Sequence, residues 1–175
     1  MLKIFFFILL ISLLSFNVSK ADEKISYVDI DYILSNSLAG KSLLETLKKE
    51  EKFKIENFKI SDDNFKDKEK KILAKKNLIT NEEINKELKS LQIEFQSYRK
   101  NKMSEIKKFK AKRNRNILNF IKMINPIIEN YMTENSISIL LDKKNIFIAS
   151  KDYDITNNLI ELIDNQIKTI EIIKW

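Results

Sequence analysis

Ile79-Thr80-Asn81-Glu82-Glu83-Ile84 sits near the middle of residues 41–125, an 85-residue stretch bounded by the chain's only glycine, Gly40, and its only proline, Pro126. With both strong breakers absent, the stretch predicts very long helix. The hexapeptide marks where that helix turns back. Thr80 and Glu83 have capping-box spacing: the Thr hydroxyl accepts from the Glu amide, and the Glu carboxylate from the Thr amide. Ile79 and Ile84 occupy the N′ and N4 positions of a hydrophobic staple. A fresh helix start inside a helical run means a hairpin, with its tip at residues 75–81. Lys75 and Lys76 close the outgoing helix, where cations suit the carbonyl end of the dipole.

Working outward, the outgoing helix is expected to begin near Leu38. Leu44, Leu47, Phe58, Phe65 and Ile72 fall on its 3-4 line, together with Glu51, Lys54, Ser61 and Lys68. So many polar members make a thin, partly hydrated coiled coil rather than a dense core. Ile84, Leu88, Leu91, Phe95 and Tyr98 repeat the spacing on the way back, continuing through Phe109, Asn116 or Ile117, Phe120 and Ile124. Two matched seams argue for an antiparallel arm over residues 38–131. Each helix of about 40 residues would span roughly 60 Å. Pro126 should kink or restart the returning helix.

The ends of the chain read differently. Lys3, the apolar run of residues 4–16 and Ser19-Lys20-Ala21 make a secretory signal with cleavage after Ala21. The mature chain would then be residues 22–175. Lys24-Ile-Ser-Tyr-Val-Asp-Ile30 reads as a strand, and Asp31 to Ser37 as one helical turn capped by Asp31. Ile137-Ser-Ile-Leu-Leu141 and Asn145-Ile-Phe-Ile-Ala149, separated by Asp142-Lys-Lys144, suggest a hairpin, and Asp154-Ile-Thr156 opens a closing helix. Residues 22–37 and 132–175 thus form a base. The fold class is α+β, mostly helical: a long antiparallel helical-hairpin arm on a small β-rich base. A base of this size has a marginal core of its own, so its spare apolar surface is expected to pack against other copies.

Charge follows this division. Residues 41–125 hold 24 Lys/Arg against 13 Asp/Glu, whereas the flanks beyond residue 21 hold 6 against 12. The absence of cysteine and histidine excludes thiol and imidazole catalysis and leaves no thiolate or imidazole zinc site. Asp29 and Asp31 point the same way on a strand but have no further catalytic group beside them, so no enzyme, cofactor or metal is expected. A pI near 9.3 with interleaved aromatics fits nucleic-acid binders, but export places the chain away from nucleic acid.

Lys24 to Lys41 resembles the opening strand, turn and helix entry of the Skp, or OmpH-like, family; residues 137–149 and Asp154-Ile-Thr156 resemble its closing hairpin and Asp-Ile-Thr helix start. The resemblance implies a homotrimer whose three arms enclose a cavity, and a periplasmic, ATP-independent holdase for unfolded outer-membrane proteins. Where relatives carry a glycine before the second strand, this chain has Glu134-Asn-Ser136, and Asn135 is expected to take the left-handed conformation. The chain also runs on to Trp175, which either packs on the base or adds a contact.

On this reading the client-binding candidates are Phe53, Phe58, Phe65, Phe95, Tyr98 and Phe109; all but Phe53 also lie on the heptad line, where holding the two helices together is the simpler role. The basic run Lys107, Lys108, Lys110, Lys112, Arg113 and Arg115 has two readings: contact with anionic lipid or lipopolysaccharide, or a solvated face that keeps the rods soluble. Ile25, Tyr27, Val28, Ile139, Leu141, Ile146 and Ile148 are the trimer-interface candidates. The rival to the chaperone is a structural coiled-coil protein of the cell envelope without client protection.

Overall fold

In the computed structural model, which describes residues 24–173, the chain enters as β1 (Lys24–Val28) and α1 (Ile30–Asn36) and passes through Ser37 into α2 (Leu38–Ala74). A 3-10 turn at Lys75–Asn77 reverses it. The chain returns along α3 (Asn81–Glu134) and closes with β2 (Ile137–Asp142) and α4 (Thr156–Gln166). The signal segment and Trp175 lie outside the described residues.

Each helix start has a local cause. Asp29, not Asp31, caps α1: its Oδ1 accepts from the Tyr32 amide at 2.8 Å, because the strand ends at Val28 and the helix begins one residue after Asp29. Ser37 caps α2, its Oγ accepting from the Gly40 amide at 3.1 Å. Gly40 is helical and has no positive φ, so backbone freedom is not its purpose. A Cβ there would fall 2.9 Å from the Leu34 Cα and 2.7 Å from its carbonyl carbon, closer still to the oxygen. The glycine lets α2 leave against the end of α1.

The arm forms as its turn sequence dictates. Thr80 Oγ1 accepts from the Glu83 amide at 3.3 Å, and Glu83 Oε2 accepts from the Thr80 amide at 2.9 Å. Ile84 is buried behind them and Ile79 is half-buried. At 37 and 54 residues, α2 and α3 run roughly 55 and 80 Å. Pro126 neither ends nor restarts α3. Phe120 and Ile124 before it, and Ile127 and Ile128 after it, are buried in one core, and this packing keeps the helix continuous despite the missing donor.

In the base, β1 and β2 pair in parallel, with Ile25 opposite Ile139 and Tyr27 opposite Leu141. The expected hairpin does not form. After β2 the chain makes a 3-10 turn at Lys143–Asn145, and residues 146–149 carry no strand, leaving Phe147 fully exposed. β2 takes its partner from the other end of the chain, so the second apolar run has no strand of its own to join. The left-handed residue is Ser136, at φ 54°, rather than Asn135. Asn135 is engaged as the cap of α3: both its amide and its Nδ2 donate to the Tyr131 carbonyl, at 3.1 and 2.9 Å.

Asp154 receives the Thr156 amide at 3.0 Å, and Thr156 Oγ1 accepts from the Asp29 amide at 2.9 Å, which ties the start of α4 to the end of β1. One core joins all of this: Val28, Ile33, Leu43, Leu47, Phe120, Ile124, Leu159 and Ile163 are among its buried members. The roots of both arm helices are therefore built into the base.

Candidate functional site

Beyond the core, the two arm helices are held by an aromatic cluster and a ladder of ion pairs. The Phe65 ring lies 5.2 Å from Phe95 and 5.1 Å from Tyr98, centroid to centroid. The Tyr98 hydroxyl sits 2.9 Å from Asp62 Oδ1 and 3.0 Å from the Phe58 carbonyl oxygen, and its one proton serves either. Lys102 Nζ pairs with Asp62 Oδ2 at 2.7 Å and lies 5.3 Å above the Phe58 ring. The Lys102 hydrogen bond, then that from Tyr98, holds the Asp62 carboxyl below its usual range. Desolvation first, then Asp62, pushes the Tyr98 phenol up.

Further pairs cross the seam: Glu50 with Lys112 at 2.7 Å, Lys54 with Glu105 at 3.2 Å, Lys68 with Glu94 at 2.6 Å and Lys75 with Glu87 at 2.9 Å. Lys54 and Lys68 on the heptad line are thus cross-helix partners rather than gaps. Of the aromatic candidates, Phe109 is buried, and Phe58, Phe65 and Tyr98 are half-buried between the helices. Phe95 lies at the seam's edge, and Phe53 stands outside it, 68% exposed.

The arm's two faces differ. On one side a groove of about 830 Å³ runs between the helices, floored by Phe65, Leu88, Leu91, Phe95, Met103 and Ile106 and edged by Asp62, Lys66, Glu69, Arg99 and Lys102. The opposite side has a smaller recess of about 440 Å³, where Ser61, Asn64, Asp67, Lys68, Lys71 and Glu94 surround Phe65 and Tyr98. Phe53, Asn57, Ile60, Asn64 and Lys71 share this second face by their 4-3-4-7 spacing. Phe53 and Phe95 therefore look in opposite directions. Sequence reasoning missed Met103 and Ile106; their signal was a second 3-4 line, Phe95, Arg99, Met103, Ile106, running beside the seam.

The basic run is divided by the helix. Lys112 is committed to Glu50, and Lys108 lies 3.0 Å from Glu105. Lys107, Lys110, Arg113 and Arg115 are exposed. Lys110 and Arg113 continue the Met103–Ile106 line toward the base, whereas Lys112 and Arg115 lie across the buried Phe109 and Asn116.

In the base, Tyr27 and Val28 are buried by their own chain, Val28 within the core. Ile25, Ile139, Leu141, Phe147 and Ile148 are exposed, and Ile146 is half-buried. A recess of about 690 Å³ bounded by Ile25, Leu141, Ile146, Ile148 and Tyr153 lies among them. Asp29 is occupied by its cap and by Lys143, 3.1 Å from Oδ2; these contacts, the Tyr32 amide above all, lower its pKa. Among the described residues no group of three or more acidic side chains could hold a metal ion.

The family model for outer membrane protein (OmpH-like) matches residues 24–163. A crystal structure of an OmpH-like protein from Caulobacter crescentus CB15 superposes with a TM-score of 0.76 at 20% identity, covering 84% of this chain and 87% of that one. No curated protein matches the sequence.

Proposed function

Since this chain belongs to the OmpH-like family, we propose that it is a periplasmic, ATP-independent holdase chaperone that shelters unfolded outer-membrane proteins between the arms of a homotrimer. The observation that carries this reading is the asymmetry of the arm. One face is a mainly apolar groove edged by charges of both signs, and the other is a smaller recess of mixed polar and aromatic lining. An unfolded barrel precursor presents scattered apolar side chains, and it must leave again without fuel. Contacts that are individually weak but numerous meet both demands. Met103, Ile106 and Phe95 each offer partly open apolar surface, and burying such a side chain is worth about 1 kcal/mol.

The trimer in this proposal uses the surface that the base leaves open: the outer edge of β2 with Ile139 and Leu141, and the apolar segment at Phe147 and Ile148. The same proposal gives Lys107, Lys110 and Arg113 the contact with anionic lipid or lipopolysaccharide, since Lys108 and Lys112 are occupied by glutamates.

The test dilutes a urea-unfolded outer-membrane barrel protein into buffer with equimolar trimer and follows light scattering. Wild type should suppress aggregation. The pair Met103→Glu and Ile106→Glu should weaken client binding about thirtyfold, as the loss of roughly 2 kcal/mol from two such contacts predicts. Phe53→Ser with Ile60→Ser should leave it nearly unchanged. A client that aggregates equally in the presence of wild type would leave the structural coiled-coil reading in possession. Equal loss from both face variants would remove the groove as the binding face.

A further inference from the structure

Asn116 is a buried polar residue in the seam, 1% exposed, at the point where the arm emerges from the core. Its Nδ2 donates to the Lys112 carbonyl within its own helix at 2.9 Å. Its Oδ1 accepts from the backbone amide of Ile173, 57 residues away, also at 2.9 Å. The chain reaches that point from the end of α4 through residues 167–173, which form neither helix nor strand. Ile170 is buried in the common core and Ile172 packs against it, while Lys168, Thr169 and Glu171 face solvent. Ile117, next to Asn116, packs against this core, and Phe120, one turn nearer the base, is buried in it, so the segment runs along the core to the root of the arm.

We propose that residues 167–173 are a strap that fixes the angle at which the arm leaves the base, with the Ile173–Asn116 hydrogen bond as its latch. The bond ties the backbone of the C-terminal segment to a side chain on the returning helix. Water replaces Ile173 at Asn116 Oδ1 once the strap lifts, so release leaves no orphaned buried group and the latch is reversible. Leverage makes a small play at the root large further out. Residue 89 lies about 46 Å from Phe120 by helical rise, so a swing of about 5° displaces it by about 4 Å. The strap thereby sets the width of the space between arms. Only that use rests on the chaperone reading; the latch itself does not.

The test uses the full mature chain, whose lack of cysteine permits clean labelling. Spin labels go on Lys89→Cys in the arm and Asn157→Cys on α4, diluted among unlabelled chains so that distances are read within one chain. Ile173→Pro removes the donor without touching the arm, and Asn116→Ala removes the acceptor. Ile170 is buried in the strap's docked position, so the rate of thiol labelling of Ile170→Cys, in a chain carrying no other cysteine, reports whether the strap has lifted. The expected result for Ile173→Pro is roughly tenfold faster labelling of that thiol and a distance distribution broadened by several ångströms, with Asn116→Ala behaving alike. Broadening is read with no client present, so it stands or falls separately from holdase activity. A lifted strap with an unchanged distribution would overturn the proposal, and so would thiol labelling that Ile173→Pro fails to accelerate.

Discussion

Replacing Gly40 by alanine should destabilise the base although it improves helix propensity. In an open helix the change gains about 1 kcal/mol. Here the added methyl meets the backbone of Leu34, 2.9 Å from its Cα and nearer to its carbonyl, and backbone has no rotamer to escape into. The helices α1 and α2 must separate by a fraction of an ångström or more. Ile33, Leu34, Ala39 and Leu43, all buried at that junction, lose packing as they do so. Overpacking of this kind costs about 1–3 kcal/mol and sometimes more, which outweighs the propensity gain. For a net loss of about 2 kcal/mol, a chain of this length should melt roughly 4–8 °C lower. The assay is thermal unfolding by circular dichroism at fixed protein concentration, since oligomerisation shifts the midpoint. A Gly40→Ala protein that melts at or above wild type would show that the approach of α1 to α2 is not what the glycine serves.

Two further outcomes are expected. The folded pKa of Asp62 lies below its unfolded value, so the stabilisation from its contacts with Lys102 and Tyr98 is present above the ordinary carboxylate range and disappears as pH falls below about 4; Asp62→Asn should flatten the acid limb of arm unfolding, and an unaltered limb would remove this group from the transition. Ile139→Asp with Leu141→Asp should leave the single chain folded, because both side chains are exposed within it, yet dissociate the proposed trimer in sedimentation; a double variant that sediments as wild type would exclude that edge from the proposed interface.

The arm was legible because its signals are local. Thr80 and Glu83 are three residues apart and define the turn wherever the rest of the chain lies. The same locality explains Lys54 and Lys68, whose polar seam positions read as imperfections until the partner helix supplied Glu105 and Glu94. What the sequence concealed is mostly long-range. The parallel pairing of β1 with β2 joins residues more than 110 apart and leaves no trace in the spacing of either strand. The run around Phe147 has strand composition but no partner within its own chain, so composition there misled. Asn135 and Ser136 show the limit of propensity: asparagine tolerates a left-handed backbone best, but capping engaged it first. Ile55, Met103 and Ile106 form apolar positions that a search for a single seam passes over.

The parallel ladder also imposes an order of events on a chain made from its N-terminus. β1 cannot find its neighbour until residues 137–142 have been synthesised, whereas everything needed for the arm hairpin is present once residue 125 has followed. Local helix pairing is fast and long-range strand closure is slow. The rod therefore matures first and the pedestal last, so a prematurely terminated chain would carry a folded arm on an open hydrophobic stump. Only a polypeptide extended past Leu159 and Ile163 can cover Phe120 and Ile124 with α4, so a shorter fragment leaves the root of its finished rod open to proteases.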